Sequence, residues 1–293
     1  MRNFYDGGTF VDEEAEEPVS QEMFLERVTY FTELFRPLDI DIICLQEVGG
    51  EKGVFMIGEV LGYDCYFAKP NKRGIRMAVM YKKALAPSIT CSSVSFGELS
   101  IPSIQEQGDT HVLKPILQRR DVLVVDVDSF HDKKLRIVTF HLKSNLPMYL
   151  ETDNKETDQK AYTEAKFRCV LYKMMELRGI RGFVDTSMDE GREIVLLGDF
   201  NENNNSSAMD ILKGSNQDHK VLTDVLVGYE GDKTTHIYRA NKLTFDTILV
   251  SSKIQEVVEE VSVLNKDLQD FSLLPLEEVV IASDHAMVTV TLR

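Results

Sequence analysis

The sequence predicts an α/β protein in which two β-sheets are flanked by helices, with residues 1–293 forming one domain. Three observations point there. Short apolar runs of β type recur from Ile40 to Leu292 and are bounded by turn residues. Stretches with helical apolar spacing are interleaved with them. No linker, low-complexity tract or internal repeat divides the chain.

Residues 7–18 are acidic, end in Pro18 and read as a loop, after which Ser20 caps a helix. Phe24, Val28, Phe31, Leu34 and Phe35 form its apolar stripe, and Pro37 ends it. A strand from Ile40 to Leu45 follows, then a helix over 52–61 that stops near Gly62. Strands are expected over 64–68, 77–82 and 89–96, and their turn-rich spacing suggests antiparallel neighbours. Residues 97–118 are polar, hold two prolines and read as a loop. Strands over 122–127 and 135–140 are joined by a turn over 128–134. A polar loop over 144–160 leads to a helix over 161–178, with Phe167, Val170, Leu171, Met174 and Met175 as its apolar side. Ile194 to Leu197 reads as a buried strand, 203–207 as a loop capping a helix over 208–212, and 234–238, 245–250 and 287–292 as strands.

Composition narrows the function classes. The 293 residues are 43% hydrophobic and 28% charged, enough for a sizeable core. A chain of this length buries roughly three quarters of its unfolded surface. No apolar stretch approaches the ~20 residues that cross a bilayer. No basic-then-apolar leader is visible, so a cytoplasmic location is the expectation. The net charge of −15 disfavours tight, sequence-blind binding to a polyanion, yet leaves room for a nuclease working through a local basic patch and a metal ion. Cys44, Cys65, Cys91 and Cys169 form no Cys-x-x-Cys pair, which points to reduced, packed thiols.

Five polar clusters each sit at one end of a β run: Gln46-Glu47, His141, Gly198-Asp199-Phe200-Asn201, Asp246 and Ser283-Asp284-His285. Three follow their run and two open it. If the last two strands run antiparallel to the first three, all five lie along one edge of the sheets. Glu47 is a ready ligand for a hard cation such as Mg²⁺, or else a solvated glutamate. Asp199 and Asn201, two residues apart in an extended segment, face one pocket while Phe200 packs behind. An acid beside an amide suits water orientation and phosphate binding; an Asx-turn is the plainer use. His285 could donate to a phosphoryl oxygen or take a proton from water, with Asp246 fixing its tautomer. His141 is open to the same role, with Lys143 adding a phosphate contact; either histidine could equally be a satisfied structural one. His111, His131, His219 and His236 lie in polar turns and receive no role.

Taken together, Leu45-Gln46-Glu47, Thr139-Phe140-His141, Gly198-Asp199-Phe200-Asn201, Phe245-Asp246-Thr247-Ile248-Leu249-Val250 and Ser283-Asp284-His285 resemble the endonuclease/exonuclease/phosphatase superfamily over residues 40–293. That group includes pancreatic-type deoxyribonucleases, abasic-site endonucleases, inositol polyphosphate phosphatases and neutral sphingomyelinases. The resemblance implies a four-layer α/β/β/α sandwich with two mixed sheets packed face to face. It implies Mg²⁺ or Mn²⁺ near Glu47, with Asp284 beside the metal. It implies that Asp199 orients the attacking water and Asn201 binds phosphate or metal. His285, oriented by Asp246, would assist the nucleophile or stabilise the phosphorane-like state, and His141 would act on the scissile phosphate or leaving group. The chain departs from the family at its opening, where members carry a strand ending in an active-site asparagine. Here Arg2-Asn3-Phe4-Tyr5-Asp6 resembles the segment that members carry just after that strand. Either the strand is lost or Asn3 stands in for the asparagine.

The expected activity is metal-dependent hydrolysis of phosphate esters by an activated water. Nucleic acid is the first substrate expectation, because His141 goes with the deoxyribonuclease-like branch. The basic loop from Lys69 to Arg76 could track a backbone or could be a solvated turn. A phosphomonoesterase or a headgroup phosphodiesterase acting on inositol phosphates or lipids is the alternative. A non-catalytic binding module on the same fold is the third reading.

Overall fold

The computed structural model describes residues 21–71, 74–99, 104–106, 109–111, 116–117, 120–150, 158–215, 220–273 and 282–293. The acidic loop 7–18, Ser20 and Asn3 therefore lie outside the described residues.

The first helix, α1 (Gln21–Phe35), ends in a 3₁₀ turn at Arg36–Leu38 and leads into β1 (Ile42–Val48). Helix α2 (Glu51–Leu61) stops at Gly62, whose φ of 80° supplies the left-handed cap. Strands β2 (Tyr63–Phe67) and β3 (Arg76–Lys82) come next, and the order β1-β3-β2 is antiparallel throughout. After β4 (Ile89–Val94) the polar stretch expected to be a loop carries two short ladders. They are β5 (Glu98–Leu99) with β8 (Ile116–Leu117), and β6 (Ile104–Glu106) with β7 (Asp109–His111).

Strands β9 (Val122–Phe130) and β10 (Lys133–His141) form a longer hairpin than expected. The turn predicted over 128–134 shrinks to His131-Asp132, both with positive φ (48° and 60°), which lets two residues reverse the chain. Helix α3 (Gln159–Asp189) runs eleven residues past the expected end at 178. Its buried stripe is Ala161, Ala165, Cys169, Tyr172-Lys173, Glu176-Leu177, Ile180 and Val184. Phe167 and Val170, expected on the apolar side, are exposed. Then come β11 (Arg192–Asp199), α4 (Ser207–Lys213, capped by Ser206), β12 (Leu222–Asp224), β13 (His236–Tyr238), β14 (Asn241–Leu243) and β15 (Asp246–Ser251). A short helix α5 (Ser252–Gln255) leads to the hairpin of β16 (Val258–Leu264) and β17 (Met287–Leu292).

The six-stranded sheet has the order β12-β15-β11-β10-β9-β4 and is mixed, because β10 and β11 run parallel. Alternation along its strands sends side chains to two cores. Val122, Val124, Val138, Leu196 and Leu249 face α3 and α4, while Leu123, Val125, Ile137, Val195 and Ile248 face the second β layer. In that layer Ile42 and Cys44 of β1 and Val79 of β3 point inward, and Ile43, Leu45 and Met80 point outward onto α1 and α2. Four layers result, in the order α/β/β/α. Among the described residues, β1 pairs only with β3 and β17 only with β16. A cavity of about 460 Å³ separates these two open edges, floored by Leu197 and Ile248 and roofed by Phe31 and Phe35.

All four cysteines are free. Burial pushes the Cys44 thiol up to about 12 and the Cys65 thiol up to about 11, so both are thiols rather than thiolates at neutral pH. No helix among the described residues is long and apolar enough to cross a membrane.

Candidate active site

Three adjacent strands place three of the candidate side chains in a row. In the parallel ladder His141, the last residue of β10, pairs with Asp199, the last of β11. In the antiparallel ladder on the other side, Asp199 pairs with Asp246, the first of β15. The clusters that end β10 and β11 and the one that opens β15 thus share one sheet edge, because β15 reverses direction.

Gly198 makes the row possible. It sits at φ +147° opposite Phe140, and a Cβ there would lie 2.0 Å from the Phe140 carbonyl oxygen. Only glycine lets the two backbones approach this closely. Phe200 then turns inward, fully buried, and packs edge-to-face on Phe140 with centroids 4.8 Å apart. Asn201 comes next, at φ +49°. In this left-handed turn its backbone N–H donates to Asp199 Oδ1 (2.7 Å), and its Nδ2 donates to Asp199 Oδ2 (2.9 Å) and to the Leu142 carbonyl (3.2 Å). Asn201 therefore orients Asp199, as an Asx-turn would; Asp199 lines the cavity described above, whereas Asn201 is buried behind it.

Glu47 arrives from the opposite sheet. Between Leu45 and Val48 the pairing of β1 with β3 shifts by one residue, and Glu47 lies at φ +55°. A bulge of this kind re-aims a side chain. The Glu47 carboxylate reaches 3.7 Å from His141 Nε2, which is 3.4 Å from Asp199 Oδ2. Gln46 Nε2 donates to Thr139 Oγ1 (3.0 Å) and ties the two sheets together beside it.

His285 is held over the end of β15. Its Nδ1–H donates to Asp246 Oδ2 at 2.7 Å, the pairing expected from the sequence. Thr235 Oγ1 accepts from the backbone N–H groups of Phe245 and Asp246 (2.9 and 3.0 Å), which fixes the start of β15. His236, given no role from sequence, pairs with His285 through an isolated β-bridge and lies on its ring with centroids 4.4 Å apart. Its Nδ1–H donates to the Asp284 carbonyl (2.9 Å). Asp284, His236 and His285 offer ligand atoms within 4.8 Å of one another, as do Asp199, Asp246 and His285.

The electrostatics distinguish the groups. Burial holds His141 well below the usual histidine range, and the charges of Arg120 and His285 add to this. Its imidazole is neutral, so its approaches to Glu47 and Asp199 are not ion pairs. Burial lifts Asp199 to about 7, with Asp246 and Glu47 adding repulsion against the opposing pull of His285. Burial works against a charged His285, but the Asp246 carboxylate overrides it and raises the imidazole to about 10. The site thus has a buried floor of His141, Asp199 and Asn201 under a partly exposed rim of Glu47 and His285. It opens on the 460 Å³ cavity, which Glu47, Asp199, Asp246 and His285 all line.

Two of the sequence candidates are engaged elsewhere. The Lys143 ammonium donates to the Ser144 carbonyl and hydroxyl (2.9 and 3.1 Å) and to the Leu146 carbonyl (3.1 Å). Arg76 is ion-paired with Glu51, although its edge of the fold borders a small void beside His141. Behind the site lies a polar network with no apolar-pattern signal: Arg120 donates to the His141 and Leu142 carbonyls (3.1 and 3.3 Å), Glu176 accepts from the Lys143 backbone N–H (3.0 Å), and Lys173 bonds Asn145, Asn201 and Glu202.

The profile of the Endonuclease/Exonuclease/phosphatase family matches residues 24–285. No curated protein sequence matches the chain. Among solved structures, it is similar to a D. rerio TDP2 carrying 14 humanizing mutations (TM-score 0.57, 14% identity, 94% of each chain covered). It is similar to the 3'-5' exonuclease NExo of Neisseria meningitidis (TM-score 0.56, 17% identity, 92% of this chain and 95% of that one). It is also similar to the mannosyl-6-phosphatase Bt3783 of Bacteroides thetaiotaomicron (TM-score 0.50, 19% identity, 92% and 91%). At these identities the likeness is one of fold. With the profile spanning most of the chain, the protein belongs to the endonuclease/exonuclease/phosphatase family.

Proposed function

We propose that this protein is a divalent-metal-dependent hydrolase of phosphate esters that uses a directly activated water, with nucleic-acid phosphodiesters as its substrate class. The single observation that carries the reading is the row His141–Asp199–Asp246 on three adjacent strands, closed by the 2.7 Å bond from His285 to Asp246.

The donor set fits a hard cation. Glu47, re-aimed from the opposite sheet, brings carboxylate oxygens with more than one lone pair each to the cavity that Asp199, Asp246 and His285 also line. Mg²⁺ or Mn²⁺ held there, with Asp284 nearby, would neutralise charge on the phosphoryl oxygens and the leaving oxygen. The remaining work belongs to the chain. Asp199, raised to about 7 and fixed by two bonds from Asn201, is suited to orient a water and accept its proton. His285, bonded to the Asp246 carboxylate that favours its protonated form, is placed to stabilise the charge that develops on the phosphorane-like state. Neutral His141 can donate one hydrogen bond to the scissile phosphate or leaving oxygen.

The preference for nucleic acid rests on His141 and on neighbours such as a D. rerio TDP2 complexed with a single-strand DNA product. The phosphatase neighbour supports phosphomonoesters as the second reading. A parallel assay separates them: the protein with Mg²⁺ or Mn²⁺ against plasmid DNA, RNA, a phosphodiester dye, inositol phosphates and sugar phosphates. Cleavage of DNA or the diester dye, abolished by chelator, is expected. Turnover of monoesters alone would overturn the substrate class. Inactivity on every ester, with no Mg²⁺ binding by titration, would leave the binding-module reading.

A further inference from the structure

Lys173 lies on the face of α3 that packs against the six-stranded sheet and is only 2% exposed. A buried ammonium is stable only if its donors are matched. Here all three are. Nζ donates to Asn145 Oδ1 (2.7 Å), the Asn201 carbonyl (2.8 Å) and Glu202 Oε1 (2.6 Å). Asn145 Nδ2 adds a second bond to the same Asn201 carbonyl (2.8 Å), and Asn145 is itself held by Lys173.

That carbonyl belongs to the residue whose conformation matters most. At φ +49° Asn201 is in a region that non-glycine residues occupy when their surroundings impose it. The turn directs both its backbone N–H and its Nδ2 onto the two oxygens of Asp199. Two sets of hydrogen bonds, joined by the covalent frame of Asn201, therefore link a buried cation on α3 to both carboxylate oxygens: one set fixes the Asn201 carbonyl and the other leaves its N–H groups for Asp199. A lysine suits this use because its compact tetrahedral head serves three separate acceptors from one point, whereas an arginine fork is planar.

We propose that Lys173 is a positioning residue. Its ammonium clamps the Asn201 carbonyl and so sets the orientation in which Asp199 meets the substrate; the proposal rests on the phosphoesterase reading. It is distinct from a purely structural role, in which Lys173 would only anchor α3 to the loop after β11.

The test is Lys173→Met in the full chain, which removes the donors and keeps an unbranched stem. Hydrogen–deuterium exchange is read at the Asn201 amide and, as an internal reference, at Val195 and Leu196 in the middle of β11. Turnover of the diester dye is read with Mg²⁺, at a temperature well below the melting point of the variant. The expected result is exchange at Asn201 at least ~10-fold faster with the β11 reference unchanged, and kcat down by roughly 10- to 100-fold with KM within threefold. Exchange that rises equally at Asn201 and in β11, or kcat within twofold of wild type, would overturn the clamp. If Lys173→Met does not fold, Lys173→Gln, which keeps two donors, is read in the same way. A wild-type protein inactive on every ester refutes the phosphoesterase reading, and the exchange comparison then still decides whether Lys173 holds Asn201.

Discussion

Gly198→Ala tests the close approach that builds the site. The new Cβ would lie 2.0 Å from the Phe140 oxygen, 3.0 Å from its carbon and 3.1 Å from its nitrogen, against a normal carbon contact of roughly 3.5 Å or more. All three atoms are backbone, so no side chain can rotate away. Strand β11 must retreat from β10 at the level where Phe140 faces Gly198 and His141 faces Asp199. Overpacking costs about 1–3 kcal/mol, strain at a positive φ about 1–3, and one or two weakened ladder bonds about 1 each. A total near 4 kcal/mol is expected, which corresponds to roughly 8–16 °C in Tm for a domain of this order of size. Urea denaturation and thermal unfolding measure it directly. Activity should fall further than stability does, because the displaced segment carries Asp199. A variant melting within 2 °C of wild type, with normal turnover, would refute the reasoning that Gly198 seats Asp199 beside His141.

Three other outcomes are expected. Phe200→Ala deletes a fully buried ring that packs on Phe140, so it should cost about 3–5 kcal/mol in chemical denaturation. Glu176→Gln should stabilise the protein at pH 8 but not near pH 5. Burial raises the Glu176 carboxyl from its ordinary 4.5 to about 7, so above pH 7 both folded and unfolded states are ionised and the full cost of the buried charge is present. As pH falls through 7 the folded state takes up the proton first, and the cost is gone by about 4.5; a shift of this size is worth about 3 kcal/mol. The stability gap between variant and wild type should therefore widen by about that amount from pH 5 to pH 8, and a constant gap would contradict it. Asp246→Asn should leave the fold intact but free His285 from its anchoring charge, cutting kcat by orders of magnitude; unchanged kcat would show that the pair is structural.

Much of this site is legible in the sequence because its residues sit where apolar runs end. His141, Asp199 and Asp246 each border a strand marked by a short apolar run, and β-ladder register then forces them together. Glu47 is legible as a residue but not as a geometry, since the bulge that aims it depends on pairing with β3. The network behind the site is invisible to periodicity. The N-terminal half of the α3 stripe is built from Ala161, Ala165, Cys169, Tyr172, Lys173 and Glu176, which are small or polar, while Phe167 and Val170 face outward; only from Met175 on, through Leu177, Ile180 and Val184, is it apolar. A stripe of that kind misdirects any reading based on hydrophobicity, and it hides both the length of the helix and the role of Lys173. His236 escapes detection for a similar reason: a histidine in a turn-rich segment carries no local sign that a β-bridge will lay it on His285. The short ladders within 97–118 lack the alternation that marks strands longer than three residues.

These separated residues are expected to hydrolyse phosphate esters as one unit. The most direct measurement compares Mg²⁺-dependent turnover of the diester substrate by wild type, Asp199→Ala and His285→Ala, each shown by circular dichroism to be folded. Chelator-sensitive turnover in the wild type that falls by at least ~10³-fold in both variants is the predicted result, a loss on the scale of removing a principal transition-state contact. Variants as active as the wild type would contradict the account.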